Sequence, residues 1–141
     1  VSFEGNALVD RAAYAAARAE LGTGFVRILG YFREDGVKSV AAIEAAMRKG
    51  QAAALVMPAH TLKGEARQFG ALPLAALAET IETIARDCVE RQDTPEEALE
   101  SVARLRPLFV ETLALLEAEA VPVMPIRRPA GGFGRRTLPA G

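Results

Sequence analysis

The sequence holds a single histidine, His60, in the run His60-Thr61-Leu62-Lys63-Gly64, with Arg67 and Gly70 further on. A neutral imidazole near pH 7 is a good nitrogen nucleophile. A lysine at i+3 and an arginine at i+7 can screen the charge of an arriving phosphoryl group. A glycine at i+4 clears space for that group and its carrier. The residues cooperate only if one helix presents them together, and an α-helix turns about 100° per residue. On that wheel Leu55, Ala59, Leu62, Ala66 and Phe69 form one apolar stripe, and His60 lies roughly 140° from its centre. Lys63, Gly64 and Arg67 share the outward stripe with His60. The spacing therefore predicts a helix from about Gln51 to Phe69 that buries one face and holds the imidazole in solvent.

A lone histidine is most often structural or merely solvated, but its place opposite the core stripe removes the buried reading. A glycine inside a helix costs about 1 kcal/mol relative to alanine, which argues that Gly64 serves access. Arg67 could equally be an ordinary surface residue. Met57 and Ala53 lie near the His60 stripe, either as a docking patch or as boundary core. Cys88 falls in phase with Ile81 and Ile84, so it reads as a buried apolar residue. One histidine and one distant cysteine are too few for a metal site, and no Glu-x-x-His pair exists for a di-iron bundle. The chain has neither a Gly-x-x-x-x-Gly-Lys-Ser/Thr loop nor a kinase glycine loop, so ATP binding has no support.

The elements that must position these residues are helical. Asp10 reads as the N-cap of a short helix to Glu20, broken by Gly22 and Gly24. Phe25, Ile28, Leu29 and Phe32, then Val37, Val40, Ile43 and Met47, keep helical spacing to Gly50. Asp35-Gly36 between them reads as a break or tight bend, and one bent helix or two remain open. In the His60 helix, Pro58 predicts a kink, with a start at Pro58 as the other reading. Gly70 fits a left-handed helix end and Pro73 the first turn of the next helix. Leu74, Leu77, Ile81, Ile84 and Cys88 mark that helix. Thr94, Pro95 and Glu97 read as a capping box. Leu99, Val102, Leu105, Phe109, Leu113 and Leu116 then carry a last helix to about Glu119, with a bend expected at Pro107. Short loops between helices of roughly 36–49, 51–69, 73–92 and 95–119 imply an all-α, antiparallel up-down-up-down four-helix bundle, with one or two extra N-terminal helices.

The division expected is a lead-in at 1–9, the bundle at 10–119 and a flexible tail at 120–141. The last twenty-one residues carry four prolines, four glycines, four arginines and no acid, too little periodic apolar content for a core element. With those arginines set aside, 13 basic residues face 18 acids, so the body is about −5. That balance argues against a nucleic-acid surface. No apolar run approaches the length of a membrane span. A single cysteine and no visible signal peptide make the cytoplasm the expected location.

The pattern His-x-x-Lys-Gly-x-x-x-x-x-Gly, from His60 through Gly70, resembles the active-site helix of histidine phosphotransfer (HPt) domains, and the resemblance extends over roughly positions 10 to 119. It implies a phosphoryl carrier rather than an enzyme. His60 would accept the phosphoryl group from a receiver-domain aspartate and pass it to another receiver. Lys63 and Gly64 would assist directly, with Arg67 and Gly70 in support. The partners implied are response-regulator receivers and the receiver of a hybrid histidine kinase. No cofactor is expected on this chain, because the Mg²⁺ for such transfer belongs to the receiver. A monomer is expected. The resemblance also points to Glu82, twenty-two residues after His60, as the group that hydrogen-bonds the inner imidazole nitrogen; an exposed helix glutamate is the alternative. Two other classes stay open: a bundle adaptor that docks without accepting phosphate, against which the intact His60, Lys63 and Gly64 speak, and a phosphoacceptor fragment of a larger histidine kinase.

Overall fold

The computed structural model describes residues 8–120; the expected lead-in over 1–7 and tail from 121 onward lie outside the described residues. Among the described residues the α-helices are, in order, α1 Arg11–Leu21, α2 Phe25–Arg48, α3 Ala52–Gln68, α4 Leu72–Arg91 and α5 Leu99–Ala120. Short 3-10 turns, Gly22–Gly24 and Glu96–Ala98, lead into α2 and α5. Helices α2 to α5 form the bundle, each packed on two neighbours. Ion pairs across α2 and α5 show their antiparallel register: Arg33 meets Glu117 and Arg106 meets Glu44. Among the described residues no helix is long and apolar enough to cross a membrane.

Helix α3 is locked in rotation by its apolar stripe. Leu55, Ala59, Leu62, Ala66 and Phe69 are all buried, as the wheel predicts. At its end Gly70 takes a φ of +76°, a conformation natural to glycine. A Cβ there would also stand 2.9 Å from the Asp10 carbonyl oxygen. The Asp10 N–H donates to the Gly70 carbonyl at 2.8 Å, and the Asp10 side chain caps α1 by accepting from Ala13 N–H. Helix α1 is thereby clamped to the α3–α4 corner. Aromatic rings tie this end of the core together: Tyr14 packs on Phe25, Phe25 on Phe69, Phe69 on Phe32 and Phe32 on Phe109.

Three local expectations change. Asp35-Gly36 is no break: α2 runs unbroken from Phe25 to Arg48, with Gly36 buried in its interior. The glycine serves packing, since a Cβ on it would lie 2.4 Å from Phe109 Cε1. Helices α3 and α4 lie within a residue or so of their expected bounds, and α3 continues through Pro58 rather than starting there. The expected capping box does not form. Thr94 pairs with Glu96, Glu97 instead takes Arg91 at 3.2 Å, and a 3-10 turn precedes α5. That turn places Ala98 in the core and leaves Leu99, expected in the stripe, 58% exposed.

Candidate functional site

His60 projects from the middle of α3 with 52% of its side chain exposed. Facing it from α4 is Glu82, only 5% exposed. A buried carboxylate is costly unless it is paired and hydrogen-bonded, and Glu82 has three partners. Its Oε2 lies 3.0 Å from His60 Nδ1. The same oxygen accepts two hydrogen bonds from Arg86, from Nε at 3.0 Å and Nη2 at 2.8 Å. Its Oε1 meets the Lys63 ammonium at 2.8 Å, an ion pair whose approach is not that of a well-aligned hydrogen bond.

Burial alone would push the Glu82 carboxyl up. The close ammonium of Lys63 and the hydrogen bonds of Arg86 and His60 outweigh it and hold the group at about 2. Glu82 is therefore ionised throughout the physiological range. An ionised carboxylate only accepts hydrogen bonds, so the shared proton must sit on Nδ1. The outer nitrogen, Nε2, then carries the free lone pair toward solvent. The arrangement fixes ring orientation and tautomer together, and leaves one nucleophilic atom exposed.

Gly64, one turn beyond His60, is exposed, and a Cβ built there would meet nothing within 4 Å. Lys63 differs from its expected place. Its side chain is 16% exposed because it turns off the outward stripe to reach Glu82; a long aliphatic stem lets the ammonium find a partner the wheel does not show. Arg67 stays on the surface, pairing with Glu79 at 2.9 Å, and does not join the Glu82 cluster. Gly70 acts at a distance, by ending α3 and seating α1. Ala53 and Met57 are exposed, so they are not boundary core. Arg86 is the residue sequence reasoning missed. Its signal was the i, i+4 spacing after Glu82, which places the two side chains on one helix face.

A second perturbed carboxyl lies on the other flank of α3. Burial, then the adjacent Asp35, raises Glu65 to about 7. The two glutamates bear on stability with opposite signs. Glu82 is depressed in the folded state, so its contribution is present above about 4.5 and is lost as pH falls toward about 2. Glu65 is raised, so its contribution favours folding in acid and falls as pH climbs from about 4.5 to about 7. Glu65→Gln should therefore stabilise the protein at pH 8 and flatten the decline between pH 5 and 7. Denaturant melts across that range check it; an unchanged decline in the variant would remove Glu65 as its source.

Among the described residues no group of three or more His, Cys, Asp or Glu side chains is arranged to hold a metal ion. Comparison with curated proteins finds no match. The bundle superposes on the crystal structure of histidine-containing phosphotransfer protein B (HptB) from Pseudomonas aeruginosa PAO1, with a TM-score of 0.70 and 24% identity. The match covers 82% of this chain and 96% of that one, and at such identity it speaks to the fold. The sequence profile of the Hpt domain matches residues 27–119, about two thirds of the chain. With that match over the helices that build the His60–Glu82 site, the chain belongs to the Hpt, or histidine phosphotransfer, domain family.

Proposed function

We propose that this protein carries a phosphoryl group on His60 between the receiver domains of a phosphorelay. The observation that carries the reading is the exposed imidazole whose Nδ1 is tied to a buried, ionised carboxylate. In the first transfer the Nε2 lone pair attacks the phosphorus of a receiver's aspartyl phosphate in line. The N–P bond forms as the acyl O–P bond breaks, and the aspartate leaves as a carboxylate. The ring becomes cationic, and Glu82 below it balances that charge. The second transfer runs the same steps backward onto another receiver, with the Mg²⁺ supplied by the receivers. Lys63 is one turn from the nucleophile but rests on Glu82; its ammonium must swing from that carboxylate to stabilise the phosphoryl oxygens in transit. A hybrid kinase's receiver as donor, a response regulator as acceptor, a monomeric carrier and a cytoplasmic setting complete the reading.

The test is direct. Receivers charged with labelled phosphate are mixed with the protein, and the label is then located by mass spectrometry. Acid-labile label on the His60 peptide supports the reading; label elsewhere, or none, rejects it.

Gly64 separates stability from activity. Gly→Ala in a helix interior stabilises by roughly 0.5–1 kcal/mol, and nothing surrounds position 64 to resist a methyl group. A receiver closing over His60 meets any larger side chain, and misplacing the reacting atoms by about 1 Å costs about a hundredfold in rate. Gly64→Ala should melt higher and transfer somewhat more slowly, whereas Gly64→Gln should fold and transfer about a hundredfold more slowly. Wild-type rates in the Gln variant would end the access argument.

A further inference from the structure

Beside His60 the seam between α3 and α4 opens into a groove that runs toward the 49–51 and 92–95 connections. Its apolar lining comes from Ala53 and Val56 on α3 and Val89 on α4. Met57, 61% exposed, lies on the same stretch of α3, between Val56 and the histidine. The charged lining is all from α4: Arg86, Asp87 and Glu90.

The two ends of this groove differ in charge. At the His60 end, Lys63 and Arg86 share one carboxylate, so one positive charge remains over. Further along α4, Asp87 and, at the far end, Glu90 take part in none of the ion pairs among the described residues. Arg91, next to them in sequence, is committed to Asp93 and Glu97. Along α4 the rise from Glu82 is about 8 Å to Asp87 and about 12 Å to Glu90, while Arg86, next to Asp87 in sequence, turns its guanidinium back to Glu82. The groove is thus an apolar strip with a cationic end at the nucleophile and an anionic stretch that begins little more than one turn away and ends about two turns away.

We propose that this groove seats the receiver and that its charge gradient fixes the direction of docking, an inference that rests on the phosphotransfer reading. The occupant is a receiver surface with three features in line. An anionic phosphoryl-bearing site faces His60, apolar side chains cover Ala53, Val56 and Val89, and a lysine or arginine about 8–12 Å from the phosphoryl site meets Asp87 and Glu90. A receiver turned end for end sets like charges against each other at both ends. A receiver with an acidic residue at the far position is refused, so the Asp87–Glu90 pair selects among receivers as well as orienting them.

The experiment compares wild type with Asp87→Lys/Glu90→Lys and Asp87→Asn/Glu90→Gln. Phosphoramidate, a small donor that needs no docking surface, labels His60 as its own P–N bond breaks and ammonia leaves. That labelling should be the same in all three proteins. Transfer is then measured from a panel of purified receivers charged with acetyl phosphate, keeping those that label the wild type. The lysine variant should raise KM by about tenfold or more with kcat little changed, and the neutral variant should fall between. Added salt should raise the wild-type KM and leave the neutral variant's nearly constant. An unchanged KM in the lysine variant overturns the proposal, as does a fall in kcat alone. It is also overturned if no receiver labels a wild type that phosphoramidate does label. Failure of phosphoramidate to label His60 would instead sink the phosphotransfer reading beneath it.

Discussion

His60→Gln should fold like the wild type and accept no phosphoryl group from any receiver. The fold is spared because the side chain is half exposed and lies opposite the buried stripe of α3. Substitutions at such positions usually change stability by less than about 0.5 kcal/mol. Glu82 keeps Lys63 and Arg86 when the imidazole goes, so no buried charge is stranded. Acceptance is lost because a carboxamide nitrogen has no available lone pair, and the sequence contains no second histidine. Circular-dichroism melts and receiver-to-protein label transfer are the two measurements. Acid-labile label reaching the variant would mean that the acceptor lies elsewhere.

Gly36→Ala should destabilise the bundle, although Gly64→Ala, the same substitution where a Cβ meets nothing within 4 Å, should stabilise it. At position 36 the new methyl carbon would stand 2.4 Å from Phe109 Cε1 and 2.5 Å from Cζ. The ring cannot move freely, since Phe109 is buried and its centroid lies 5.9 Å from that of Phe32. Overpacking of this kind costs about 1–3 kcal/mol, more than the roughly 0.5–1 kcal/mol that alanine contributes to helix stability. Gly36→Val should cost more. Relief should come from the facing helix: in a Gly36→Ala/Phe109→Leu protein the two losses should sum to more than the measured loss. Strict additivity in that cycle would show that the ring and the glycine are not in contact.

Much of this was legible in the sequence, because helical period carries both core and site. One apolar stripe fixes how α3 is rotated, and that rotation alone puts His60 in solvent and Gly64 beside it. What the period could not show lay between helices. Lys63 was placed outward from the direction of its Cα, while its flexible stem carries the charge to α4. Gly36 looked like a break because glycine lowers helix propensity; the reason for it sits on α5, in a ring more than seventy residues away. Thr94 and Glu97 have capping-box spacing, but Arg91 competes for Glu97 and the chain winds tighter before α5 begins. Arg86 was visible as an i, i+4 partner only once Glu82 was known to be buried.

Glu82 also bears on how far the signal can be held. With the imidazole neutral, the corner formed by His60, Lys63, Arg86 and Glu82 carries one net positive charge. A phosphoryl dianion on a cationic ring brings that corner to roughly neutral. The buried carboxylate keeps cationic partners in both conditions, so neither is a deep well. A carrier built this way has little reason to hoard its cargo: the fraction loaded follows the loading of the receivers on either side, and traffic reverses when their balance does.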